Sequence, residues 1–382
     1  MNINKALRII LITLFISSIG LSQVPSAQKL DPNMALKEAD SDGIVWFDPR
    51  EEPFGLTGME WIKEDGVYRR LPKQPDWQIR KPVDELANQT AGAQIRFRTN
   101  SRKILVKVEL KERSGMNHMP ATGQSGFDLY VQDEGIERYV KTTRFPHDTL
   151  RYQVELFNEG TKQLRSFTLN FPLYNGVESV LVGLEQGATL LAPLPFALPG
   201  KMVIYGTSVT QGGCVSRPGM VYSNILSRKL GVQFVNLGFS GNGLGEPELA
   251  RLINQISGTS FIILDYEGNA RKTIINTLGP FVDILRERHP QTPILIMSKI
   301  RFARDIDGSD AYESLMSLRD FQINLVNDRK TAGDENIYFL DGSKVLGDDY
   351  FECMVDGIHP SDLGSQRIAD ALLLAIREIL SN

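Results

Sequence analysis

The sequence predicts two modules: an antiparallel β-sandwich or jelly roll, then an α/β layer built on a flavodoxin-like, doubly wound, five-stranded parallel sheet. Three observations predict this. Residues 43–190 are rich in short segments with period-two alternation, residues 193–200 form a proline-rich break, and the remaining chain alternates short apolar runs with helical apolar faces.

Taken in order, the first 22 residues are a signal peptide by pattern. Lys5 and Arg8 precede an apolar stretch from Ile9 to Leu21, and the small residues Gly20 and Ser22 offer a cleavage point. The stretch is shorter than the roughly 20 residues that span a bilayer. A secreted or periplasmic protein without membrane insertion after cleavage is therefore expected. In the β-sandwich, expected over residues 30–192, Ile95 and Phe97 alternate with Arg96 and Arg98, and Ile104, Val106, Val108 and Leu110 alternate with polar residues. The same rhythm returns at Phe127, Leu129 and Val131, at Tyr152, Val154 and Leu156, and at Phe167, Leu169 and Phe171. Such alternation gives each strand one wet and one buried face. Pro193, Pro195 and Pro199 then interrupt regular structure and mark a linker over residues 193–200.

In the second module, expected over residues 201–382, the runs Met202 to Tyr205, Phe234 to Leu237, Phe261 to Leu264, Ile294 to Met297 and Ile337 to Leu340 read as strands buried on both faces. Leu249, Leu252, Ile253 and Ile256 share one helical face; Ile274, Leu278, Phe281, Val282 and Leu285 share another; Leu372, Leu373 and Ile376 mark a last helix. Ligands of such sheets bind beyond the carboxyl ends of the strands, so the residues after each run come first in a search for chemistry.

Composition narrows the partners. With 42 basic and 46 acidic side chains interspersed and a net charge of -4, the chain has no field able to hold nucleic acid. No cluster of His, Cys or carboxylates has metal-ligand spacing, and no cofactor is called for. The pattern gives no subunit count.

After the first run of the second module comes Ser208, in Tyr205-Gly206-Thr207-Ser208. Alone it reads as a serine capping a turn. A serine hydroxyl attacks a carbonyl only when a base takes its proton, and of four histidines only His359 falls in a loop after the last strand and before the last helix, at the same sheet edge. Asp356, three residues earlier, can hold the imidazole's other nitrogen. The plainer reading is that Asp356 and His359 cap the last helix. Donors for a developing oxyanion are available in Asn236-Leu237-Gly238-Phe239-Ser240-Gly241-Asn242-Gly243 and in Asp265-Tyr266-Glu267-Gly268-Asn269.

With these residues assembled, the chain resembles the SGNH/GDSL hydrolases. Tyr205 to Ser208, Ser240-Gly241-Asn242, Gly268-Asn269 and Asp356-Gly357-Ile358-His359-Pro360 are similar to that superfamily's four blocks, in order. The resemblance implies the SGNH hydrolase fold, Ser208 as nucleophile, Asp356 and His359 as its triad partners, and an oxyanion hole from the backbone of Ser208 and Gly241 with the Asn269 amide. Thr207 stands where the family commonly has Asp before the serine, and Ala270 where it has Asp after the asparagine. Gly126-Phe127-Asp128-Leu129-Tyr130 is similar to the signature of a β-rich domain of the GxDLY type found ahead of exported bacterial SGNH esterases, and the segment Gln211 to Gly219 to their nucleophile loop. That group is linked to esterified carbohydrates. An acetylesterase removing acetyl or other small acyl groups from sugars is the expectation; a lipase or acylhydrolase of non-carbohydrate esters is the alternative.

Two rivals stand beside it. Gly241-x-Gly243-x-Gly245 with Asp265 downstream has part of a dinucleotide-binding pattern. Trp46, Trp61 and Trp77 would stack on sugars in a carbohydrate-binding protein with a degenerate hydrolase module. Two subsidiary expectations concern loops. Cys214 and Cys353, each six residues from a triad residue, are expected to form a disulfide. The run Asn117-His118-Met119-Pro120 is either an exposed turn or a wall of the crevice.

Overall fold

The computed structural model describes residues 37–381, of which those from 39 onward form one compact unit. The signal-peptide segment lies outside the described residues, and among those described no helix is long and apolar enough to cross a membrane.

The first module is two packed antiparallel sheets. Its strands are β1 (Ile44–Phe47), β2 (Gly55–Thr57), β3 (Gln94–Thr99), β4 (Lys103–Leu110), β5 (Asp128–Asp133), β6 (Ile136–Thr142), β7 (Arg151–Asn158), β8 (Arg165–Asn170), β9 (Val177–Glu185) and β10 (Leu190–Leu191). One sheet has the order β1-β9-β4-β7 and the other β10-β3-β8-β5-β6, with β2 on β3. The alternating residues do what their period requires: Ile95, Phe97, Ile104, Val106, Phe127, Leu129, Phe167 and Leu169 are buried in one core between the sheets.

The second module has strands β11 (Lys201–Gly206), β12 (Gln233–Gly238), β13 (Thr259–Asp265), β14 (Ile294–Met297) and β15 (Ile337–Leu340), all parallel, in the order β12-β11-β13-β14-β15. The expected doubly wound sheet is thus present. Helices Pro247–Asn254 and Ile274–Arg286 cover one face through the apolar sets read from sequence, while Tyr222–Leu230 and Asp362–Ser381 cover the other. Helix Asp310–Thr331 went unread; its core-facing side includes Gln322, a buried polar residue that interrupts the apolar pattern.

The modules share a core. Leu71, Val83 and Ala87 of the first module pack into the cluster of the second, with Trp61 and Trp77 against them. Trp46 donates its indole N–H to Asp40 at 2.7 Å and lies under Lys107. The tryptophans therefore form no shared exposed platform for a sugar. Arg70 is wholly buried at the junction, where its guanidinium donates to the carbonyls of Leu86, Gln89, Asn236 and Gly238 and lies over the Phe239 ring. A buried cation is tolerated only when its donors are satisfied, and here four carbonyls from both modules satisfy them.

Candidate active site

Each of the five parallel strands delivers its following loop to one edge of the sheet. Ser208 follows β11, Gly241 follows β12, Asn269 follows β13, Phe302 and Arg304 follow β14, and His359 follows β15.

Ser208 opens a one-turn helix, Ser208–Gln211, whose N-cap is Thr207. Thr207 Oγ1 accepts from Val209 N at 3.2 Å, and Thr207 N donates to Thr210 Oγ1 at 3.0 Å. A capping hydroxyl of this kind contributes about 1 kcal/mol, which gives Thr207 a local structural role. Thr210 Oγ1 in turn donates to the buried Asp265, which also accepts from Tyr222 OH at 2.7 Å. Gly206 is required by close approach, since a Cβ there would lie 2.0 Å from Thr210 Oγ1. Asp265 is thus committed beneath the nucleophile turn and unavailable to a ribose, which removes the dinucleotide reading. Burial raises its pKa to about 7 against the two hydroxyl hydrogen bonds.

The first module grips the loop that follows. Tyr174 OH donates to Ser208 O at 3.0 Å, and Gln211 Nε2 donates to Leu173 O and to Gln89 Oε1. Asp128, fully buried, accepts from Arg217 at 2.7 Å, from Gly219 N at 2.9 Å and from Asn170 at 2.8 Å. The aspartate of the Gly126-to-Tyr130 signature is therefore a clasp on the segment after Ser208.

His359 and Asp356 occupy a short loop closed on itself. Asp356 Oδ1 accepts from the backbone N–H groups of Ile358 and His359, and Val355 N donates to His359 O. Cys214 N donates to Pro360 O at 3.0 Å and ties this loop to the nucleophile loop. The side chains meet: His359 Nε2 lies 2.8 Å from Ser208 Oγ, and His359 Nδ1 lies 2.7 Å from Asp356 Oδ2. Burial alone would raise the Asp356 pKa, but the hydrogen bonds from His359 and Ile358 outweigh it and hold it down to about 2.

Three donors face the same space. The N–H of Ser208 stands at the first turn of its helix, where no carbonyl can reach it. Gly241 has φ +69°, a left-handed conformation that favours glycine, and its N–H points to no protein acceptor among the described residues. Asn269 accepts from Gly243 N through Oδ1 at 3.1 Å, which fixes the amide's orientation and leaves Nδ2 for a ligand. Ser208, Gly241, Asn269 and His359 line one cavity of about 260 Å³ with Arg271, Phe302, Arg304 and Ile358. A larger cavity of about 730 Å³ adjoins it, sharing Gly268, Asn269, Arg271, Phe302 and Arg304.

Sequence reasoning missed Arg271, Phe302 and Arg304. The last two follow the fourth strand, where the strand-end rule alone directs attention. His118 was open between two readings; its ring lies 5.7 Å from that of His359 and 4.0 Å from Asp356 Oδ2, which brings it beside the acid–base pair. The expected disulfide is not formed. Cys214 packs with Ala91, Met119 and Leu173, whereas Cys353 packs on the far side with its thiol toward Leu346 O. Their loops converge through the backbone at Pro360, with the two thiols in separate clusters. Burial and then the charge of Asp356 push the Cys214 thiol up to about 12. Among the described residues, the grouping able to offer a metal three ligands is His118, Cys214 and His359. Both ring nitrogens of His359 are engaged within the triad geometry, which leaves it no free lone pair there.

Comparison with known proteins agrees with this architecture. Residues 200–377 match the GDSL-like Lipase/Acylhydrolase family, and residues 44–190 match the N-terminus of Esterase_SGNH_hydro-type, the GxDLY domain. No curated protein matches the chain. Among solved structures, a candidate GDSL-like lipase from Bacteroides ovatus is 29% identical, with a TM-score of 0.79 over 88% of this chain and 98% of its own. Salicylyl-acyltransferase SsfX3 from a tetracycline biosynthetic pathway is 22% identical, with a TM-score of 0.74 over 89% and 99%. A family two carbohydrate esterase from Cellvibrio japonicus is 16% identical, with a TM-score of 0.57 over 88% and 98%. The last two show a shared fold alone. The chain belongs to the SGNH/GDSL hydrolases, a superfamily of acyl-ester hydrolases, and carries the N-terminal GxDLY domain.

Proposed function

We propose that the protein is a serine esterase that removes acetyl or other small acyl groups, from carbohydrates in the first instance, with Ser208 as nucleophile, His359 as base and Asp356 as the group that orients it. The observation that carries this reading is the unbroken hydrogen-bonded line from Ser208 Oγ through His359 to Asp356 Oδ2. With its proton on Nδ1, donated to Asp356, the imidazole presents a lone pair at Nε2 to the serine hydroxyl. Ser208 Oγ attacks the ester carbonyl carbon as its proton passes to Nε2. The carbonyl oxygen becomes an oxyanion facing the Ser208 and Gly241 N–H groups and Asn269 Nδ2. Collapse breaks the bond to the alcohol oxygen, which leaves with the proton from Nε2. Water then attacks the acyl-serine, gives its proton to Nε2, and the acid departs as Ser208 Oγ recovers the proton.

A cavity of about 260 Å³ around the triad supports a small acyl group. The exported setting remains part of the proposal, from the N-terminal pattern alone. The test is turnover of aryl esters of increasing acyl length and of acetylated oligosaccharides, with Ser208→Ala as control. Acetate release from the oligosaccharides, falling rates beyond short acyl chains and loss of turnover in the variant are expected. Undiminished turnover by Ser208→Ala would overturn the reading.

A further inference from the structure

We infer that the site selects esters whose alcohol portion bears an oxyanion group, a carboxylate or a sulfate, held between Arg271 and Arg304 at the mouth of the triad pocket. The inference rests on the esterase reading and adds the charge of its substrate.

Both arginines line both cavities, so each stands where the triad pocket adjoins the larger space. Both residues are exposed, and neither makes an ion pair or a side-chain hydrogen bond among the described residues. Lys272 adds a third cation to the wall of the larger cavity. The carboxylates nearby, Asp305 and Glu267, are buried and not exposed at the mouth. Asp305 accepts from Lys299 Nζ and from Phe302 N, while Glu267 accepts from Lys299 N and Gln322. The mouth thus carries uncompensated positive charge in a protein whose net charge is -4. Scarcity of acids is no explanation, because Arg286, Arg319, Arg329 and Arg367 are each paired with an aspartate.

A second observation is independent of charge. Arg271 holds φ +50°, a region that glycine occupies without strain. The other non-glycine residue in that region, Glu134, sits in the tight turn between β5 and β6, beside Gly135. At Arg271 the backbone keeps an arginine where glycine fits better, at the rim of the nucleophile's pocket. A planar guanidinium fork suits the two oxygens of a carboxylate or sulfate, and the triad cavity of about 260 Å³ leaves the larger half of the ester to the cavity of about 730 Å³.

The experiment compares 4-carboxyphenyl acetate and 4-sulfophenyl acetate with neutral 4-carbamoylphenyl acetate, each kcat/KM normalised to the ester's hydroxide-catalysed rate. The charged esters are expected to be favoured about 10-fold or more. The two charged arms distinguish carboxylate from sulfate. The preference should shrink with added salt and fall towards one in Arg304→Ala and in Arg271→Gly. The second variant should melt no lower than wild type, since glycine relaxes the backbone at that position. Equal treatment of charged and neutral esters, or a preference that survives both substitutions, would overturn the inference while leaving the esterase reading intact. Should no ester turn over, the esterase reading fails by itself, and calorimetric binding of 4-hydroxybenzoate against 4-hydroxybenzamide decides the anion site, equal affinities counting against it.

Discussion

The two loops that form the triad are held in place by different means. The nucleophile turn is anchored from outside: Ser208 is only 6% exposed, and Tyr174, Leu173, Gln89 and Asp128, all from the β-module, bond to it or to the segment after it. The acid–base loop is anchored from within, through Asp356 accepting from the backbone of Ile358 and His359, and joins the nucleophile side mainly through Cys214 N to Pro360 O. The β-module is therefore part of the scaffold of the nucleophile. Within its own loop the histidine is held by Asp356 and Val355, and Ala303 N adds one bond from the segment after β14, to Gly357 O.

The largest effect should come from the locally held side. Asp356→Asn keeps the size of the side chain but accepts less well from Nδ1 and permits the wrong tautomer, so kcat should fall by roughly 10⁴-fold, with a modest loss of stability as the charge that the loop's hydrogen bonds favour is removed. Steady-state kinetics with thermal melts will show whether the two properties separate, and a large drop in melting temperature would mean that the loop depends on that carboxylate for more than orientation. Asn269→Ala removes one oxyanion donor, and a loss of about 10²–10³ in kcat with a modest change in KM is expected. A loss confined to KM would place Asn269 in ground-state binding instead.

Asp128→Ala strikes the externally held side. It leaves Arg217 and Gly219 N without their buried acceptor, and a destabilisation of about 3 kcal/mol is expected by urea unfolding, with activity falling although Asp128 is remote from the ester. Unchanged stability would show that the clasp is dispensable. Tyr174→Phe deletes the hydroxyl that bonds to Ser208 O and also interacts with Ser240 and Gly213, and should cost about 1 kcal/mol or somewhat more, read in the same way.

The smallest effect concerns pH. A carboxylate held down to about 2 contributes stability that is present above its ordinary range near 3.8 and is lost as pH falls through about 2. Between about pH 4 and 8 Asp356 should therefore add no ionisation of its own to the activity profile. A second ionisation within that window that disappears in Asp356→Asn would contradict this account.

The family resemblance and the strand-end positions of Ser208, Gly241, Asn269, Asp356 and His359 were legible because they follow from local order. Apolar runs of about four residues alternating with helical faces leave little choice but a parallel sheet, and such a sheet puts every following loop on one edge. Period-two alternation made the sandwich legible for the same reason, since burial on one face is written into each strand separately. Helix Asp310–Thr331 was not legible, because Gln322 faces the core and its partner there, Glu267, is 55 residues away in sequence. The cysteine pairing was misjudged because equal spacing from two triad residues fixes where the loops meet and says nothing about where each thiol points.

By itself, then, the sequence determined the layer order, the strand ends and the chemical identities that reach them, all of which depend on patterns within a few residues. Only the tertiary structure decided that the β-module grips the nucleophile turn, that Asp265 lies committed beneath it, and that Arg271 and Arg304 flank the pocket without an ion-pair partner among the described residues. Those facts depend on which distant side chains satisfy one another's hydrogen bonds and charges, and no local pattern encodes that choice.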